Sequence, residues 1–240
     1  MRQPLTASSF IKQLKTKQSD LELQKIQRYF KSGEGEYGEG DAFLGVRMGD
    51  VFALAKQHMG MPAAELEKLM EHKLHEVRAG AMSIMDKDAR SKKTTAERRT
   101  ELYKLYMRRH DRINNWDLVD LAAVHVVGGY LHDKPRKPLY TLARSRNMWE
   151  RRTAIVATGY FLRHGDVDDT FTIAEMLMKD KEDLIHKAAG GWLRFAGDQD
   201  PARMRAFLDT QTASMPRTML RYAIEHLKPA ERKRYMAAGK

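Results

Sequence analysis

Residues Glu150–Gly159 read ERRTAIVATG. Two cations lead into small and apolar residues whose spacing is helical rather than alternating. The same arrangement returns in Glu76–Met85 (EVRAGAMSIM), Ile185–Arg194 (IHKAAGGWLR) and Met219–Leu227 (MLRYAIEHL). Each places a basic residue ahead of small and apolar ones: Arg78, Arg152, Lys187 and Arg221. These lie 74, 35 and 34 residues apart, and INNWDLVDLAA (Ile113–Ala123) falls near the middle of the longest gap. A period of roughly 35–40 residues is that of a two-helix solenoid repeat. Small residues let paired helices approach closely, and a cation recurring at one helix end is expected to line up with its counterparts on stacking. A concave basic groove is the expected product.

Outward from these segments the pattern stays helical. Ser19-Asp20 opens a helix running to about Phe30, with Leu21, Ile26 and Tyr29 among its apolar positions. Pro62 precedes Leu66, Leu69, Met70 and Leu74, Thr95 with Arg98 and Glu101 marks another start, and Pro201, Pro216 and Pro229 each stand where a helix can begin. Val124–Val127 (VHVV) is the one strand-like run, and its apolar surroundings favour a buried helix. The chain is read as all-α, a single repeat domain over residues 1–240. Residues 1–18 and 229–240 are terminal capping helices or partly disordered ends.

Composition narrows the function. Lys and Arg number 43 against 32 Asp and Glu, a net charge of +11, which favours a polyanionic partner such as nucleic acid. Apolar residues make up 42% of the chain, ample for a core, but mean hydropathy is −0.62 and no apolar run approaches the ~20 residues of a membrane span. The N-terminus lacks the apolar region of a secretory signal. Cysteine is absent, which excludes disulfides, thiolate catalysis and Cys-ligated zinc and fits a reducing, cytoplasmic setting.

Two motifs are set aside. Gly33, Gly35 and Gly38 spell Gly-x-Gly-x-x-Gly, but a helix precedes them where the dinucleotide fingerprint needs a strand, and Glu34, Glu36, Glu39 and Asp41 would repel phosphate. The segment reads as a flexible acidic loop. His72 and His75 stand three apart beside Glu76, yet no third ligand is evident, so no metal is expected.

INNWDLVDLAA carries the chemistry. Asn114 or Asn115 suits an N-cap, and Asp117 in the first turn complements the helix dipole, a structural role. Asp120 interrupts an apolar run and must face solvent or find a partner. Trp116 stands at i, i+4 from it, on the same helical face. Arg151 and Arg152 point about 100° apart; Arg152 fits the repeat register, and Arg151 is left to Glu150 or solvent.

Together, RYFKSGEGEYGEGDAFLGVR (28–47), INNWDLVD (113–120), WERRTAIVATGYFLRHGD (149–166) and IHKAAGGWLRFAG (185–197) resemble the bacterial DNA alkylation repair glycosylases of the AlkD type, in the same order across roughly residues 20–200. The resemblance implies a superhelix of HEAT-like repeats holding duplex DNA in a basic groove. It implies hydrolysis of the N-glycosidic bond of cationic N3- and N7-alkylated purines by a monofunctional enzyme without metal or redox cofactor. Asp120 falls on the catalytic aspartate and Trp116 on its accompanying aromatic. Arg152 and Arg194 fall on DNA-contacting arginines, Tyr29 on an aromatic near the lesion, and Lys187 and Trp192 join the candidate DNA contacts. The chain departs from the family pattern at Gly191, where a second active-site tryptophan is usual, and at Phe195, where glutamate is usual. Those changes keep open a DNA-binding protein of the same fold without chemistry; a protein-interaction scaffold is the third reading. A monomer suffices to hold duplex.

Overall fold

Every regular element of the computed structural model, which describes residues 5–30, 33–34 and 36–238, is helical; among these residues there is no strand, only an isolated bridge between Ala42 and Leu74. Lys31, Ser32 and Gly35 of the segments quoted above, and residues 1–4 and 239–240 of the terminal caps, lie outside the described residues. The chain divides into two compact units, Met1–Tyr130 and Leu131–Lys240.

The first unit holds α1 (Ala7–Lys15), α2 (Asp20–Phe30), α3 (Met48–Gln57), α4 (Ala63–Met70), α5 (His75–Arg90), α6 (Ala96–Arg108) and α7 (Trp116–Ala122). Its axis is α5, against which α3, α4, α6 and α7 all pack. The sequence dictates this centrality: Val77, Ala79, Ala81, Met82, Ile84 and Met85 surround the helix with apolar groups, and all are buried. A helix apolar on every side has to sit inside. Gly80 serves close approach, since a Cβ there would lie 2.3 Å from the ring of Phe10 on α1. Helix starts are local matters of capping. Thr6 accepts the Ser9 amide at 3.2 Å, Thr95 the Arg98 amide at 3.2 Å, and Asn115 the Trp116 amide at 2.8 Å.

The VHVV run is helical and buried, as its surroundings require, but it is π-helical over Ala123–Gly128 rather than α. His125 in this turn meets Asp86 of α5 at 2.7 Å. A three-residue α8 (Gly129–Leu131) follows.

The second unit comprises α9 (Lys137–Ala143), α10 (Met148–Ala157), α11 (Gly159–Leu162), α12 (Asp168–Leu177), α13 (Asp183–Gln199), α14 (Pro201–Gln211), α15 (Arg217–Ala223) and α16 (Pro229–Ala238). Here α13 is the axis, packed by α10, α12, α14 and α15. The small residues of the repeated segments do what their size permits. A Cβ on Gly190 would stand 2.3 Å from the Met219 carbonyl oxygen on α15, and one on Gly159 would stand 2.3 Å from the Trp192 ring.

The cations of those segments meet different fates. Arg78 is buried and bonded to Asp41 and Asn114, each at 2.5 Å, so it is a cohesive element of the first unit rather than part of an exposed cationic row. Arg152 is buried, Lys187 half-exposed and Arg221 exposed. Arg151 has a different and more distant partner. It clamps Asp180 through Nε at 2.5 Å and Nη2 at 3.0 Å, joining α10 to the loop before α13.

Candidate active site

The N-terminal turn of α7 is built from outside. Asn115 caps the helix with its Oδ1 and donates from Nδ2 to Asp41 Oδ2 at 2.9 Å, while Asn114 donates to Asp41 Oδ1 at 3.1 Å. Asp117 accepts its neighbour Leu118 amide at 2.9 Å through Oδ1 and meets His75 Nε2 at 2.7 Å through Oδ2. The structural reading of Asp117 thus gains a partner on α5.

On the other side of this turn lies a cavity of about 560 Å³. Ile26, Tyr29 and Phe30 of α2 form one wall, and Met48 and Phe52 of α3 another. Trp116, Asp120 and Leu121 close it from α7, and Lys25 reaches its edge. Tyr29 is 63% exposed, and its ring centroid stands 5.9 Å from that of Trp116 in an edge-to-face arrangement. Phe30 stacks against the same indole at 5.8 Å. Trp116 is half-buried, and Asp120 one turn later is exposed. The i, i+4 spacing therefore sets an indole and a solvent-reaching carboxylate in one cavity. An exposed carboxylate against aromatic faces suits a cationic, planar ligand, attracted by the charge and by the ring quadrupoles.

Tyr29, Trp116 and Asp120 are thus brought together in the first unit. The remaining candidates belong to the second. Arg152 is buried and donates from Nη1 to the Leu184 carbonyl at 2.9 Å. Arg194 is ion-paired with Glu225 in the turn after α15 and lies over the Phe195 ring at 5.0 Å. Lys187 pairs with Asp183 at 2.8 Å. Trp192 is half-buried against Gly159, with Phe195 5.7 Å away. A Cβ on Gly191 would meet nothing within 4 Å, so the position where the family resemblance expects tryptophan opens into free space.

Sequence reasoning passed over the groups behind the cavity. Asp41 is not part of a flexible acidic loop. Its carboxylate is almost wholly buried and gathers Asn114, Asn115, Arg78 and, at 3.5 Å, His75. Burial alone would raise its pKa, but the His75, Asn115 and Arg78 contacts outweigh it and hold the carboxyl far below the ordinary range. His75 and His72 do not act as a pair: His72 accepts the Leu74 amide at 3.0 Å, while His75 sits between two aspartates. Burial works against the His75 imidazolium, yet the charge and hydrogen bond of Asp117, helped by Asp41, raise its pKa to about 9. Next to it Glu76, also buried, accepts the amides of Leu44, Gly45 and Val46 at 2.9, 2.8 and 3.3 Å. The available signal was the abrupt change from acidic loop to apolar AFLGV at Asp41.

The described residues thus form an all-α protein with an aromatic-walled cavity and a carboxylate presented inside it. The family model described as "DNA alkylation repair enzyme" matches residues 10–227, and the chain belongs to that family. Among solved structures it is similar to a "Predicted DNA alkylation repair enzyme from Enterococcus faecalis", with a TM-score of 0.67 over 89% of this chain and 98% of that one. The two share 17% sequence identity, so the likeness is one of fold. No curated protein matches the chain. Family membership gives the protein a part in DNA alkylation repair, with DNA as its partner. No helix among the described residues is long and apolar enough to cross a membrane.

Proposed function

We propose that this protein is a monofunctional DNA glycosylase that hydrolyses the N-glycosidic bond of cationic N3- and N7-alkylated purines in duplex DNA. The observation that carries the reading is the exposed Asp120 carboxylate in the cavity lined by Trp116 and Tyr29. An N3- or N7-alkylpurine is already positive, so it leaves as a neutral base and asks for little general-acid help. Positive charge then grows on the deoxyribose. A fixed carboxylate beside that sugar stabilises the transition state more than the ground state, which is the condition for acceleration. Asp120 also orients the attacking water as a weak base. The π faces of Trp116 and Tyr29 receive the cationic base or sugar.

In this reading the helix pairs are HEAT-like repeats, and Arg152, Arg194 and Lys187 are the phosphate contacts that offset the repulsion between DNA and Asp120. The Glu225 and Asp183 partners of Arg194 and Lys187 are themselves at least half exposed, so phosphate oxygens can replace them at small cost. Trp192, packed on Gly159 and half-buried, meets DNA with the part of its ring that stays exposed.

The test is release of 7-methylguanine and 3-methyladenine from methylated duplex by wild type and by Asp120→Asn. Removing one preorganised electrostatic group of this kind costs about 10²–10³ in rate, and a loss of that order is expected. Equal release by both proteins removes Asp120 from the chemistry. No release by wild type, with duplex binding intact, favours the binding-only reading.

A further inference from the structure

The buried cluster behind the cavity has a charge balance that depends on one proton. Asp41 and Asp117 bring two negative charges and Arg78 one positive charge, and all are buried or nearly so. With the Glu76 carboxylate taken up by three backbone amides, only a protonated His75 brings these four side chains to zero. The ring is 1% exposed, with Nε2 2.7 Å from Asp117 and Nδ1 3.5 Å from Asp41. Phe30 lies 4.8 Å from the imidazole on one side and stacks on Trp116 at 5.8 Å on the other. Phe43 also flanks the imidazole, at 5.2 Å. A continuous column thus runs from His75 through Phe30 to the indole in the cavity, while the ion pair runs from His75 through Asp117 into the first turn of α7.

We propose that His75 is a positioning residue for this site: held as an imidazolium between Asp41 and Asp117, it locks the first turn of α7 and so sets where Trp116 and Asp120 stand in the cavity. The part of this that concerns rate rests on the glycosylase reading. Asp117 itself lines the cavity. Neutralising it from behind leaves Asp120 as the carboxylate that defines the field a cationic substrate meets. The charged groups around the ring are Asp41 from the loop, Asp117 from α7, and Arg78 and Glu76 from its own helix; α2 presents the uncharged Phe30. Glu76 is committed to three backbone amides, and Arg78 to Asp41 and Asn114. The proton on His75 is therefore the one that titrates the clamp, with a pKa raised to about 9.

The test uses the full chain labelled with 5-fluorotryptophan, whose three tryptophans give three ¹⁹F signals, the Trp116 signal being assigned by its loss in Trp116→Phe. Ring ¹⁵N shifts of His75 and the Trp116 ¹⁹F signal are followed from pH 6 to pH 10, a window set by the raised pKa. In wild type both are expected to move together with a midpoint near 9. In His75→Gln, which keeps a donor for Asp117 but no charge, the Trp116 signal is expected to sit at its high-pH position throughout. Methylpurine release at neutral pH should fall by about 10–100-fold in His75→Gln, the scale of a small misplacement of catalytic groups, while duplex affinity stays unchanged. The ratio of wild-type to variant rate, in which titration of the substrate cancels, should decline towards one as pH rises through 9. An imidazole that titrates near its ordinary value overturns the proposal. So does a Trp116 signal blind to His75, or wild-type release by the variant. If wild type releases no methylpurine the glycosylase reading fails, and the two spectroscopic titrations still decide the clamp. If His75→Gln does not fold, the wild-type titrations alone decide it.

Discussion

Asp41→Asn is the most demanding test of the interior. The substitution keeps the shape of the side chain and removes the charge on which Arg78 and His75 depend. Arg78 is 5% exposed, so its guanidinium would keep Asn114 as partner but lose the ion pair made at 2.5 Å. Removing one partner from a buried pair costs about 3–5 kcal/mol, because the other charge stays out of water uncompensated. For a chain of this length each kcal/mol moves the melting temperature by roughly 2–4 °C, so Asp41→Asn is expected to melt about 6–20 °C lower. Urea unfolding followed by far-ultraviolet circular dichroism measures the free energy, and calorimetry the temperature. Glu34→Gln, seven residues earlier on an exposed position, is the control and should change stability by less than about 0.5 kcal/mol. A loss below about 1 kcal/mol for Asp41→Asn, within the range of surface pairs, would refute the claim that Asp41 holds this unit together.

Stability should depend on pH with a definite sign. The Asp41 carboxyl is depressed, so its contribution is complete above the ordinary value near 3.8 and is lost as pH falls towards its lower folded value. His75 is raised, so its contribution is complete below the ordinary value of 6.5 and is lost as pH rises through about 9, amounting to roughly 3 kcal/mol. Denaturation at a series of pH values should therefore show a plateau between about 4 and 6.5, and rising stability from pH 7 to 10 would contradict it. Two glycines on neighbouring elements should respond oppositely. Gly159→Ala drives a Cβ to within 2.3 Å of the Trp192 ring and should cost about 1–3 kcal/mol, whereas Gly191→Ala points into open space on α13 and should stabilise by about 0.5–1 kcal/mol; thermal melts of the pair check both. Duplex affinity should fall steeply with salt, and Lys187→Ala should flatten that slope by about one; a slope near zero in wild type would leave the second unit's cations without a phosphate role.

What was legible in the sequence is what neighbours in the chain decide. Thr95, Pro201, Pro216 and Pro229 mark helix starts because an N-cap or a donorless first residue acts within one turn, and α6, α14, α15 and α16 begin there. Trp116 and Asp120 were legible as a pair because α7 brings i and i+4 to one face. The misses all involve long separations. His75 finds Asp117 across 42 positions and Arg151 finds Asp180 across 29, and nothing in the sequence next to either acid points to its partner. Asp41 was read with its acidic neighbours, although only the fold separates it from them by burying it.

One short helix carries two carboxylates, Asp117 buried and Asp120 exposed. The seven α-helical residues run straight on into the π-helical turn, and such a helix is held mainly by tertiary packing. Its position must come from tertiary bonds, and these converge on one end: Asn114 and Asn115 on Asp41, Asp117 on His75. At the other end the chain passes into the buried π-helical turn, fixed to α5 through His125 and Asp86. Asp120 lies between the two anchorages, exposed at the cavity wall. Its placement therefore follows from the residues that anchor α7 on either side of it. Changes at Asp41, His75 or Arg78 should accordingly read out in the cavity.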